Sequence, residues 1–147
     1  MTDDNHCATT KADGHLATLR ELTENLPDVP HGSPPRKRYV GEGGAWIGTG
    51  LWHEPAFAVQ ICEAPAGVML PAHFHEGECR ERLLVVSGLI RVEMNGVENV
   101  FGVGSCAEFA PGQAHQVTTL KPTRIVAVTI PAEEDYPYGH DHAAADA

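Results

Sequence analysis

Between Trp46 and Ile130 the chain is built of short apolar or alternating runs, many only five to seven residues long, separated by Gly, Pro and Asn. The runs cover 47–53, 57–63, 69–75, 82–87, 89–94, 99–103, 106–110, 115–119 and 124–130. An amphipathic helix needs about ten or more residues with apolar positions three and four apart, and these runs are too short for it. Alternation with a period of two sends one side chain inward and the next outward, the pattern of a half-buried strand. The breaks are turn chemistry: Ser87-Gly88, Asn95-Gly96, 102–104 and Pro111-Gly112. Asn-Gly supplies the two positive-φ residues of a two-residue hairpin, so Asn95-Gly96 predicts a tight connection between the runs around it. Many short strands with regular turns predict an all-β chain, an antiparallel sandwich or barrel.

The flanks differ in texture. Residues 1–45 are expected to form an N-terminal arm, 46–131 the β-barrel and 132–147 a flexible acidic and Ala-rich tail. Residues 1–14 are polar, acidic and aperiodic, and are expected to be disordered. Leucines at 16, 19, 22 and 26 fall three and four apart, which predicts a short helix over about 15–26, ended by Pro27 and Pro30. Residues 32–44 are rich in Pro, Gly and charge and are expected to be a connecting arm, with Arg36-Lys37-Arg38 as a solvated linker.

Composition narrows the partners. The net charge is −10 with His neutral, and a nucleic-acid binder needs cationic side chains to displace counterions, so no nucleic-acid partner is expected. No apolar run is long enough for a bilayer, and the start of the chain carries acid where a secretion signal carries base. A cytoplasmic protein without a membrane partner is expected. Cys7, Cys62, Cys79 and Cys106 form no CxxC pair and are expected to be free thiols, with Cys62 and Cys106 as small core residues. Trp46 and Trp52 flank a strand and suit core or dimer-interface packing.

Chemistry concentrates in two segments. In 67–75, His73 and His75 are two apart on one strand and project to the same face, close enough for both imidazoles to reach one ion. Glu81 opens the next apolar run; if that strand pairs with the first, its carboxylate lies beside the histidines. Residues 104–115 form a strand, a Pro-Gly turn and His115 at the mouth of a further strand, which can close the site across a rolled sheet. By alternation, Met69, Leu83, Val85, Ile90, Val92 and Val117 are expected to line the interior. His31 and His53 are read as structural or exposed. His140 and His142 form a second His-x-His in the tail, where a metal role is not expected.

These segments resemble the two motifs of the cupin superfamily, in particular its small single-domain members. Gly67, His73, His75, Glu81 and Gly88 fall on the first motif, and Gly104, Gly112 and His115 on the second. Five residues rather than three or four separate His75 from Glu81, Ala110 stands where the family usually has Pro, and Thr119 replaces an Asn. The longer spacing leaves Glu76 and Glu78 open as carboxylate donors; Glu81 is preferred because its distance to Gly88 matches the motif. The resemblance implies a jelly-roll barrel (a double-stranded β-helix) holding one divalent transition metal on His73, His75, His115 and Glu81. Imidazole and carboxylate suit Fe, Mn, Ni or Zn. It implies a metal-dependent enzyme, dioxygenase-like before decarboxylase or isomerase, acting on a small organic molecule inside the barrel. The alternative is a metal-containing binding or sensor module without turnover. Glu81 is the one candidate general base, if it is not a ligand; Cys79 is read as a loop thiol, with a fifth, soft ligand or a redox-sensitive thiol near the metal as the alternatives; and a homodimer is expected because small cupins pair through exposed strand edges.

Overall fold

A computed structural model of the chain describes residues 16–26 and 36–132. The expectations for 1–14, Cys7, His31 and the tail with His140 and His142 lie outside these residues. The described chain forms twelve strands: β1 Ala17–Thr18, β2 Thr23–Asn25, β3 Arg36–Gly41, β4 Gly44–Glu54, β5 Phe57–Ala64, β6 Met69–Phe74, β7 Arg80–Ser87, β8 Leu89–Met94, β9 Val97–Gly102, β10 Cys106–Phe109, β11 His115–Thr119 and β12 Thr123–Ile130. They make two sheets, one of five strands in the order β1-β6-β11-β8-β9 and one of seven in the order β10-β7-β12-β5-β4-β3-β2. All pairings are antiparallel except β1 with β6. The result is the expected all-β sandwich.

Alternation places the core. Along β7, Glu81, Leu83 and Val85 are buried while Arg80, Arg82, Leu84 and Val86 are exposed. Along β12, Thr123, Ile125, Ala127 and Thr129 turn inward. These faces meet Ile90, Val92 and Val117 of the opposite sheet in one hydrophobic cluster. Asn95 and Gly96 both have positive φ, 53° and 76°, and join β8 to β9 with Met94 opposite Val97. That is the hairpin the Asn-Gly pair predicts. Gly88, between β7 and β8, has φ 98°, and a Cβ there would lie 2.4 Å from Pro122 O. Only glycine fits that corner.

The helix expected over 15–26 is absent. Leu19–Leu22 form a single 3-10 turn, flanked by β1 and β2. Leu19 and Leu22 are both buried, and a 3-10 turn aligns residues three apart as well as an α-helix does. Thr18 and Glu21 close a capping box, and Thr23 continues into a strand. So short a segment gains little as an isolated helix, whereas pairing with β6 and β3 satisfies its backbone at once. The linker reading of Arg36-Lys37-Arg38 also changes: these residues begin β3, with Lys37 buried and Arg36 and Arg38 exposed. Trp46 is a core residue, whereas Trp52 is exposed and stacks on Phe57. Cys62 and Cys79 are buried free thiols, and Cys106 faces outward instead of into the core. Among the described residues no helix is long and apolar enough to cross a membrane.

Candidate metal centre

His73, His75 and His115 converge. Each offers a ring nitrogen, and the three nitrogens lie within 4.8 Å of one another, all on buried side chains. His73 is the penultimate residue of β6 and His115 begins β11, and the two sit directly opposite in the ladder. His115 therefore reaches the site as a sideways neighbour in the same sheet, not from across the barrel. The ring centroids of His73 and His115 are 4.4 Å apart, and Phe109 stacks on His115 at 3.7 Å with an interplanar angle of 3°.

Two of the imidazoles have their tautomer set by the backbone. His73 Nδ1 lies 2.8 Å from Pro71 O and His115 Nδ1 lies 3.0 Å from Gln113 O. A carbonyl only accepts, so each Nδ1 carries the proton and each Nε2 keeps its lone pair. His115 Nε2 is fully buried and has no hydrogen-bond partner among the described residues. An unpartnered buried lone pair beside two other imidazoles is the state a metal ligand has before it meets its ion.

Glu81 approaches from the other sheet. Its Oε1 lies 2.7 Å from His75 Nε2 and 3.4 Å from His115 Nε2. His75 directly follows β6, which does not pair with the β7 that carries Glu81; the chain crosses between sheets over 75–79, and Glu81 faces the histidines across the sandwich. It is outside the trio whose nitrogens all lie within 4.8 Å. Glu76 pairs with Arg20, and Glu78 is exposed, so of the three acids only Glu81 meets the histidines. Cys79 is buried but its Sγ lies against Arg80 O at 3.8 Å, also outside the trio.

The electrostatics suit a cation. Burial pushes the Glu81 carboxyl up, but the neighbouring imidazoles of His75 and His115 outweigh it and hold the group below the ordinary carboxylate range. Burial and the adjoining imidazoles of His115 and His75 push His73 well down, so it is neutral and able to ligate. Burial, with Glu81 and Glu63 adding, raises the Cys62 thiol, which stays protonated. Both histidine and acid shifts make the metal-free chain sensitive to acid. The unfolded chain binds a proton at His73 near pH 6.5 while the folded chain resists it, so stability falls as pH drops through that value. Glu81, depressed in the folded state, contributes stability above its unfolded value of 4.5 that is lost as pH falls further. Urea midpoints of chelator-treated protein at pH 7.5, 5.5 and 4 should therefore decrease in that order. A midpoint that rises from pH 7.5 to 5.5 would show that His73 is not held neutral.

Next to the trio lies a cavity of about 40 Å³, whose wall includes Leu19, Tyr39, Trp46, Gln60, Leu70 and Leu83. Leu83 and Val117 line it; Val85, Ile90 and Val92 face the interior as expected but pack in the core away from this cavity, and Met69 is only partly buried. Leu70 takes the place of Met69 because β6 is irregular against β11: His115 pairs with His73 while Val117 pairs with Leu70. Pro71 and Ala72 oppose the single Gln116, and the inward parity shifts there. Gln60 is a buried polar residue on the inward positions of β5, a signal present in its alternation. Thr119 also has a role the sequence did not reveal. Its hydroxyl donates to Pro65 O at 2.6 Å and accepts from Val68 N at 2.9 Å, tying the turn that launches β6.

Residues 60–130 match the family model described as "Cupin domain". No curated protein matches the chain. Among solved structures, the cupin domain of Cnp3 from Schizosaccharomyces pombe is similar at 18% identity with a TM-score of 0.56; the match covers 58% of this chain and 64% of that one, under two thirds of its length. KdgF from Halomonas sp. is similar at 18% identity and a TM-score of 0.59, over 82% of this chain and 96% of that one. A double-stranded β-helix protein from Klebsiella pneumoniae is similar at 20% identity and a TM-score of 0.52, over 79% and 89%. At these identities the likeness is one of fold.

Proposed function

Since residues 60–130 match the cupin domain, we propose that the chain is a cupin and a metal-dependent enzyme. In this reading one divalent ion sits on His73, His75 and His115, with Glu81 as fourth donor, and a small organic molecule is transformed beside it. The observation that carries it is the pair of backbone-locked imidazoles whose free Nε2 lone pairs point to one place, His115 Nε2 having no other partner among the described residues. Once bound, such an ion supplies Lewis acidity and, as iron, redox chemistry with O2. The chain's own residues do the rest. Pro71 O and Gln113 O orient two rings, the apolar wall of Leu70, Leu83 and Val117 excludes water, and Glu81 holds the charge balance. If Glu81 is not a donor to the ion, its Oε1, 2.7 Å from His75 Nε2, is the candidate general base.

Dioxygenase-like chemistry is the first choice for an N,O-ligated site, ahead of decarboxylation or isomerisation. The cavity limits the substrate: it holds about 40 Å³, against roughly 150 Å³ in a cavity that binds benzene. A compact aliphatic molecule fits better than an enclosed aromatic ring. A second reading, a binding or sensor module without turnover, is favoured by the lack of any acid or base on the wall beyond Glu81, the histidines, Tyr39 and Cys62. Free thiols at the three described cysteines support a reducing, cytoplasmic setting.

Metal loading tests the proposal. Chelator-stripped protein, made without an affinity tag, should gain thermal stability with Fe(II), Mn(II), Ni(II) or Zn(II). At about a thousandfold excess over Kd the gain is about 4 kcal/mol, or roughly 10 °C for a chain of this size. A folded chain that takes up none of the four ions contradicts the metal reading. Oxygen consumption with small diketones and thiols then separates enzyme from sensor, since a ligand bound without turnover favours the latter.

We also propose a homodimer. The outer face of the seven-stranded sheet exposes Leu84, Val86, Ile130 and Trp52, apolar surface that a second copy would cover. Light scattering should give twice the chain mass; a monomer at micromolar concentration refutes it.

A further inference from the structure

Residues 17–25 form a strap that joins the two sheets along one open side of the sandwich. β1 is the last strand at one edge of the five-stranded sheet and β2 the last at one edge of the seven-stranded sheet, and the 3-10 turn Leu19–Leu22 crosses between them. Leu19, only 5% exposed, lines the cavity beside the histidines from this crossing. Ala17 sits opposite His73 in the ladder, so the strap runs along the strand that carries that imidazole. Within itself the strap is well tied. Thr18 and Glu21 close the capping box, and Thr23 Oγ1 donates to Leu19 O at 2.7 Å. Its fastenings to the rest are short. They include a two-residue parallel ladder, a three-residue antiparallel one, the burial of Ala17, Leu19 and Leu22, and an exposed ion pair from Arg20 to Glu76, the residue after His75. Parallel pairing is the weaker kind, and an exposed ion pair adds little. A segment tied firmly inside and lightly outside opens as a unit, ahead of the core.

We infer that residues 17–25 are the gate of the cavity, with Leu19 as its plug and the Arg20–Glu76 pair as its latch. The cavity of about 40 Å³ is the closed form. Swinging the strap away takes Leu19 out of the wall and opens the side of the sandwich next to His73. Leu19 thereby governs what reaches the three histidines and when. The inference rests on the proposed function only for what passes the gate, an ion or a small molecule; the opening itself is a property of the fold. Cys62 is a built-in reporter of it. Its free thiol is buried on β5, and the residue lines the same cavity.

The test treats the full chain, free of metal, with methyl methanethiosulfonate and follows Cys62 by peptide mass spectrometry. Arg20→Gln unfastens the latch and should label Cys62 about two- to fivefold faster than the parent, a difference that shrinks in about 1 M salt. Leu19→Ala removes the plug and should label it about thirtyfold faster or more. Ile90→Ala is the control. Ile90 is fully buried on β8 and is not on the cavity wall, so its loss weakens the whole fold without touching the strap. Labelling in that variant should stay within about twofold of the parent. A rate raised as much as in Leu19→Ala would mean that Cys62 is reached only by global unfolding, and overturns the gate. Equal rates in the parent, Arg20→Gln and Leu19→Ala overturn it too, and Arg20→Gln changes only an exposed side chain, so that arm needs no altered core to fold. Zn(II)-loaded Arg20→Gln should pass its ion to excess chelator faster than the parent by a similar factor. Unchanged transfer beside quickened labelling would put the opening away from the histidines and also overturns the gate. If the chain takes up no Zn(II), the metal reading fails, and the labelling of Cys62 still decides on the gate.

Discussion

Replacing His115 with alanine is expected to lower the affinity for a divalent ion by about a hundredfold or more, while the sandwich stays folded. The loss is large because one of three converging nitrogens disappears, and even changes one contact further from an ion cost about 10- to 100-fold. The fold survives because β11 is held by backbone ladders to β6 and β8 that do not need the imidazole. The ring stacked on Phe109 is lost, but so is a buried nitrogen with no hydrogen bond, and these act in opposite directions. Net destabilisation of the metal-free chain should stay within about 2 kcal/mol. Competition with a chromogenic chelator for Zn(II) measures the affinity, and His53→Ala, an exposed histidine of β4, is the control. Equal affinity in His115→Ala and the parent would remove this residue from the centre.

The largest loss of stability is expected at the ring behind that histidine. Phe109 is 1% exposed, the largest of the fully buried side chains, and lies flat against His115. Phe109→Ala removes its burial and leaves a cavity, which costs about 3–5 kcal/mol. For a chain of this size that is a fall of about 10 °C or more in Tm. Ion affinity should fall with it, because the imidazole loses the surface that fixes its plane. Val103→Ala, at a position 69% exposed, should change stability by less than about 0.5 kcal/mol. Urea unfolding of both variants gives the comparison; a loss below about 1 kcal/mol at Phe109 would mean the ring is not packed as described.

What the sequence made legible follows from which signals are local. The hairpin at Asn95-Gly96 and the shared face of His73 and His75 need only a turn type and a two-residue period, and both appear as expected. Glu81 meets the histidines, but for a different reason than strand pairing: it sits in the opposite sheet, and only the sheet order shows this. The leucines at 19 and 22 signal burial correctly and the helix wrongly, because spacing of three serves a 3-10 turn just as well. Met69 was expected inside and Leu70 is there instead, because an irregularity in a ladder leaves no trace in the alternation of one strand. Trp46, Tyr39 and Gln60 reach the cavity from β3, β4 and β5, and their meeting depends on register between strands, which a single sequence does not encode legibly.

Anomalous diffraction at the absorption edge of the loaded ion measures the central claim most directly. A single peak is expected about 2.0–2.2 Å from Nε2 of His73, His75 and His115 together, with Glu81 beside it. A peak elsewhere on the chain, or a loaded crystal in which these three nitrogens share no peak, would contradict it.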